Sequence, residues 1–176
     1  MMLDSGVTVG ALVVVNSAGE VFDTATGMPW MAESAAEFRL GDPPADQVGA
    51  YAARHREFSP LNTTIAVVAT DAALTPGGCR RVAMAAHDGL SRTIRPVHTP
   101  LDGDTVFVLA TGAVEVPPDP DMPVAMLPDT ALATAVGAAA ADCLARAVLV
   151  AVLAAEPVAG VPTYREMLPG AFGVTG

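Results

Sequence analysis

The sequence predicts an α/β fold in which helices cover a sheet, and three observations carry that prediction. Two β-branched apolar runs, residues 62–70 (NTTIAVVAT) and 105–111 (TVFVLAT), read as buried strands. Two longer segments, 76–94 and 131–155, place apolar residues at helical spacing. Hydrophobic residues make up 52% of the chain but aromatic ones only 5%, so the apolar mass is Ala and Val, which suits close-packed helices and β-branched strands. The length of 176 residues fits one hydrophobic core better than two.

Taken in order, residues 6–15 (GVTVGALVVV) form a strand, 16–19 a turn, and 20–23 the return strand of a hairpin. Residues 28–60 are polar and charged, with Pro43-Pro44 and little periodicity, and predict a long surface excursion holding one short helix near 47–56. The strand at 62–70 follows abruptly. Pro76 opens a helix with Thr75 as its N-cap. Its apolar stripe is Cys79, Val82, Ala83, Ala86, Leu90 and Ile94, and Pro96 closes it. After the loop HTPLDGD comes the strand at 105–111. A Pro/Asp-rich loop at 117–123 then leads to an Ala-rich helix ending near Glu156, and the tail reads as irregular.

Composition narrows the function. Nine basic against nineteen acidic residues give a net charge of −10, which argues against a nucleic-acid partner and against an anionic membrane surface. The expectation is an acidic, soluble, cytoplasmic protein. The N-terminal residues have no basic region of the kind that opens a secretory leader. The helix at 131–155 is apolar enough to suggest a membrane span, but Asp142 and Arg146 at i and i+4 predict a buried helix with one polar stripe. Cys79 and Cys143 show no ligand spacing and read as two reduced, buried thiols.

Thr63 stands where the polar excursion meets a buried strand. A β-hydroxyl there can attack the preceding carbonyl, move the acyl group from nitrogen to oxygen, and leave an ester that water cleaves. The product is an N-terminal threonine whose own α-amine, with a pKa of about 8, serves as general base. That chemistry needs neither a histidine nor a metal. A Thr-Thr pair at a strand start is also an ordinary consequence of β propensity. Asp102 and Asp104 flank Gly103 just before a strand. They could hold a threonine hydroxyl or ammonium, bind a cation together with His98, or form a plain Asx turn. Asn16, at the end of the first strand, could donate to an oxyanion or simply make the turn. His87 and Asp88 read as a helix-surface pair, and Trp30 as a packing anchor for the excursion.

Together, GVTVGALVVVNSAGEVFD, NTTIAVVATDAAL and RRVAMAAHDGLSRTIRPVHTPLDGDTVF, with the ending at 157–167, resemble the DmpA-type aminopeptidase/esterase family, which includes β-aminopeptidases and nylon-oligomer hydrolases. The resemblance implies that Thr63 is a nucleophile exposed by autocleavage after Asn62, that Asp102 and Asp104 orient and polarise it, and that Asn16 belongs to the oxyanion site. It further implies an α-β-β-α layered sandwich, a small peptide or amide substrate, no cofactor, and a homo-oligomer of processed protomers. The chain matches only the C-terminal half of such proteins. It therefore reads as one hydrolase domain, 1–176, split into 1–62, a remnant of the α-subunit, and 63–176, the β-subunit. Half of a four-layer sandwich is expected to expose an apolar sheet face, which leaves an alternative: a catalytically inactive remnant acting as a structural or interaction protein.

Overall fold

The computed structural model describes residues 1–54, 62–121, 123 and 125–173. In chain order these form β1 (Val9–Asn16), α1 (Ala32–Glu37), α2 (Ala45–Ala53), β2 (Thr63–Ala72), α3 (Pro76–Thr93), β3 (Thr105–Val114), α4 (Thr130–Leu153) and α5 (Tyr164–Met167), followed by a 3-10 turn at Pro169–Phe172. The fold is mixed α/β, as the sequence predicts. The chain forms two compact units: Met1–Val14, Ile65–Leu90 and Asp104–Ala147 make the first, and Val15–Thr64, Ser91–Gly103 and Val148–Gly176 the second.

The first unit holds a three-stranded sheet in the order β1-β2-β3, with β2 and β3 parallel and Val67 opposite Phe107. Alternation along β2 sends Ala66, Val68, Thr70 and Ala72 into the core. Two helices complete that core. The stripe read from the sequence is correct in α3, where Val82, Ala86 and Leu90 are fully buried, and Thr75 Oγ1 caps the helix by accepting the Gly78 N–H at 3.0 Å. Helix α4 buries Val136, Ala140 and Leu144, while Asp142 and Arg146 are exposed as expected. By length and composition α4 could cross a membrane, and 56% of its most apolar window is buried within the chain itself. Cys79 and Cys143 are free thiols, each half-buried where full burial was expected; the Cys143 thiol donates to the Val9 carbonyl at 3.4 Å.

The opposite face of the sheet is apolar and uncovered. Leu12, Val14, Ile65, Phe107 and Leu109 are 73, 68, 47, 55 and 60% exposed. Such a contiguous patch is uncommon on a soluble chain and marks a surface that favours association.

The second unit corrects two expectations. Residues 20–23 do not return along β1. Glu20 instead pairs antiparallel with Arg95, through bonds of 2.8 and 2.9 Å, and Phe22 pairs with Pro29. At Gly19 the two segments approach so closely that a Cβ would collide with the carbonyl of Pro96, a fit that only glycine allows. Glu20 is then held by Arg54 at 2.6 Å and by the Tyr51 hydroxyl at 3.2 Å. Nor is the tail irregular. Thr163 and Glu166 make a reciprocal capping box that starts α5. This drives Tyr164 into a stack on Phe22 (centroids 3.7 Å apart), with its hydroxyl donating to the Gly27 carbonyl at 2.7 Å. Burial, helped by Tyr51, pushes the Tyr164 phenol well above its ordinary range, so it remains a donor.

The polar excursion contains two short helices, α1 and α2, where one was expected; α2 ends at Ala53, and the excursion's last residues, 55–60, lie outside the described ones. Trp30 is the anchor it was read as: its indole N–H donates to the Glu20 carbonyl at 2.9 Å, and the Arg95 guanidinium lies 4.6 Å from its ring centre.

Candidate active site

The site is built where the β-branched run begins. Thr63 is the first residue of β2, half-buried, with Thr64 behind it fully buried. Asn62, one residue earlier, pairs with Asp102 as a parallel bridge. That pairing brings the loop of residues 98–103 beside the Asn62–Thr63 bond.

Two donors meet on the Asn62 carbonyl oxygen. The Thr63 hydroxyl donates at 2.6 Å and the Gly103 N–H at 3.0 Å. Gly103 approaches so closely that a Cβ there would sit 3.0 Å from Thr63 Oγ1. A hydroxyl, the carbonyl before it and a backbone donor on that carbonyl are the components of an N-to-O acyl shift.

Asp102 organises this loop. Its Oδ2 accepts from the Thr99 hydroxyl at 2.6 Å and the Thr99 N–H at 3.0 Å, while Oδ1 accepts from the Ala18 N–H at 2.9 Å. Ala18 lies two residues beyond Asn16, so one carboxylate ties the turn after β1 to the loop beside Thr63. Burial pushes the Asp102 carboxyl up, but the bonds from Thr99 and Ala18, with the charge of His98, together hold it below the ordinary aspartate value. A carboxyl whose folded pKa is depressed stabilises the fold above the ordinary aspartate range and loses that contribution as pH falls through the depressed value. The stability gap between the native chain and Asp102→Asn, read from urea midpoints, should therefore shrink as pH is lowered below about 4. A gap independent of pH contradicts this role.

Asn16 closes β1 and is exposed. Asn62, Thr63 and Asp102 are gathered within the second unit, and Asp104, half-buried, lies in the first unit just before β3. Sequence reading missed Thr99, Gly103 and the Ala18 amide. The Thr99-x-x-Asp102 spacing is a local turn signal that could have pointed to the first; a backbone amide such as that of Ala18 leaves no trace in a sequence. Among the described residues no group of three or more His, Cys, Asp or Glu side chains is placed to hold a metal ion.

The model of peptidase family S58 matches residues 1–165. A Mycobacterium tuberculosis protein named as an uncharacterized aminopeptidase is 66% identical over 175 residues, which is 97% of this chain and 51% of that protein. The 6-aminohexanoate-oligomer endohydrolase of a Kocuria species is 32% identical over 143 residues, 79% of this chain and 39% of the relative. The solved structure of the L-aminopeptidase D-Ala-esterase/amidase of Ochrobactrum anthropi matches 95% of this chain and 46% of that one, at 23% identity and a TM-score of 0.46. The chain spans about half the length of the curated relatives it matches.

Proposed function

The chain belongs to peptidase family S58, and on that premise we propose that it is a self-processing N-terminal-threonine amidohydrolase acting on short peptides, amides or esters. The observation that carries the reading is the Thr63 hydroxyl lying 2.6 Å from the oxygen of the carbonyl it would attack. That hydrogen bond holds the hydroxyl beside the bond it would cut. Relatives named aminopeptidase and oligomer endohydrolase support an amide as the substrate bond.

Thr63 Oγ adds to the Asn62 carbonyl carbon, and the bond from that carbon to the Thr63 nitrogen breaks. The nitrogen takes the proton that the hydroxyl gives up. Water then hydrolyses the resulting ester, leaving an Asn62 carboxylate and a Thr63 that carries both a free hydroxyl and a free α-amine. In turnover the amine, with a pKa of about 8, accepts the hydroxyl proton as Oγ attacks substrate and returns it to the leaving amine; water then hydrolyses the acyl–Oγ ester, releasing the acid and restoring the hydroxyl. Asn16 contributes to the oxyanion site, and Asp102 and Asp104 hold the surrounding geometry. No cofactor enters these steps.

Aminoacyl-nitroanilides test the hydrolytic half of this reading. The purified chain is expected to release nitroaniline, with release growing as the cleaved form accumulates. Release no faster than the uncatalysed rate would count against it. A second reading, a protein that works by association without turnover, is favoured by the uncovered face of Leu12, Val14, Ile65, Phe107 and Leu109. It predicts a self-associated chain by sedimentation that turns nothing over.

A further inference from the structure

We propose that the backbone N–H of Gly103 is the oxyanion donor of the self-cleavage step, and that position 103 is glycine because any side chain would displace the nucleophile. The proposal rests on Thr63 being that nucleophile. At rest the Asn62 carbonyl oxygen accepts from both the Thr63 hydroxyl, at 2.6 Å, and the Gly103 N–H, at 3.0 Å. Only one of these survives attack. When Thr63 Oγ bonds to the Asn62 carbon it has surrendered its proton, so it no longer donates. Charge accumulates on the Asn62 oxygen at that moment, and the Gly103 N–H is already in place to meet it. A donor whose bond strengthens as charge develops lowers the barrier, whereas one equally strong before and after does not.

Its aim is fixed by the residue before it. The Asp102 N–H donates to the Thr99 carbonyl at 2.9 Å, and the Asp102 carboxylate is held by Thr99 and Ala18. A donor anchored in this way needs no reorganisation during the reaction.

A glycine is commonly required either for a left-handed backbone or for space. The φ of Gly103 lies outside the positive range adopted by Gly27 or Gly112, so conformation does not explain it. Space does. A Cβ would stand 3.0 Å from Thr63 Oγ1, 3.7 Å from Thr63 Cγ2 and 3.9 Å from the Asn62 oxygen. The first contact is tighter than most that real side chains make, and the group that must yield is the nucleophile.

In the step itself the Thr63 Oγ–Asn62 C bond forms, and the carbonyl π pair moves onto the oxygen facing Gly103. The pair then returns to expel the Thr63 nitrogen, which carries away the proton lost by Oγ. The Gly103 N–H is not consumed.

The test replaces Gly103 with glycolic acid in the full chain, turning one amide N–H into an ester oxygen without adding a side chain. Self-cleavage is followed by intact mass, and folding is checked by circular dichroism and Trp30 fluorescence. The expected result is cleavage slowed by roughly 100- to 1,000-fold, the effect of deleting one oxyanion donor. A matched ester at Ala73, whose N–H donates to the Val114 carbonyl at 2.9 Å, should leave the rate nearly unchanged. Gly103→Ala, which keeps the N–H but crowds Thr63, should slow cleavage by up to about 100-fold. Equal slowing by the two esters would reduce the Gly103 bond to a structural one and overturn the proposal. An ester at 103 that cleaves as fast as the unmodified chain overturns it while leaving Thr63 as nucleophile. An unmodified chain that never cleaves removes the Thr63 reading and this inference together.

Discussion

Thr63→Ala should leave the chain whole, while the unmodified protein separates into residues 1–62 and 63–176. Removing a nucleophile that acts as a unit with its base costs on the order of 10⁶ in rate, so no cleavage should be seen on a denaturing gel over days. Thr63→Ser retains the hydroxyl and should still cleave. The pair isolates the oxygen from the methyl group: loss of cleavage in both variants would mean that the shape of the site, rather than the attack of Oγ, had been disturbed. Because Thr63 is half-buried and, among the described residues, the hydrogen bond its hydroxyl donates is to the adjacent Asn62 carbonyl, the alanine variant should fold like the parent.

The second large effect concerns the packing of the first unit. Gly89→Ala should destabilise the protein even though alanine is the better helix former by about 1 kcal/mol. A Cβ at position 89 would collide with the carbonyl oxygen of Ala141 and approach the amide nitrogen of Ala145 at 3.0 Å. Both belong to the backbone of α4, so relief requires one helix to move against the other. Overpacking of this kind costs about 3 kcal/mol, which outweighs the propensity gain and leaves a net loss of roughly 2 kcal/mol by urea unfolding. Gly77→Ala in the same helix is the control. Its Cβ would meet nothing closer than Thr75 Oγ1 at 3.8 Å, so it should be neutral or slightly stabilising. Equal stability of the two variants would show that α3 and α4 do not pack through Gly89.

Much of this fold was legible because its signals are local. The β-branched run after Asn62 and the one after Asp104 are strands because branched side chains fit a pleated surface, and the stripe from Val82 to Leu90 is a helix face because 3.6-residue spacing leaves little alternative. Pro76 and Thr75 marked the start of α3 through chemistry confined to one turn. The uncovered sheet face was also foreseeable, since half of the four-layer sandwich that the resemblance implies lacks layers to cover both sides of its sheet.

What stayed hidden depends on partner choice across the chain. Glu20 pairs with Arg95 rather than returning along β1, a pairing accompanied by a close fit of Gly19 against Pro96 that no window around Glu20 contains. The capping box at Thr163 and Glu166 was local and readable, but its weight comes from Tyr164 stacking on Phe22, far away in sequence. At the site the sequence offered Thr63, Asn62 and Asp102 with roles, but not the bonds that place them. Asp102 proves to bind Thr99 and Ala18, and the donor beside the Asn62 carbonyl is a backbone N–H of Gly103. Main-chain groups are identical in every residue but proline, so only folding reveals which of them faces a reacting atom.

The most direct measurement is the intact mass and N-terminal sequence of the purified, unmodified chain. The account predicts a second N-terminus reading Thr63-Thr64-Ile65, with two fragments whose masses sum to the chain plus one water. A chain that stays whole, or one cut at any other bond, contradicts it.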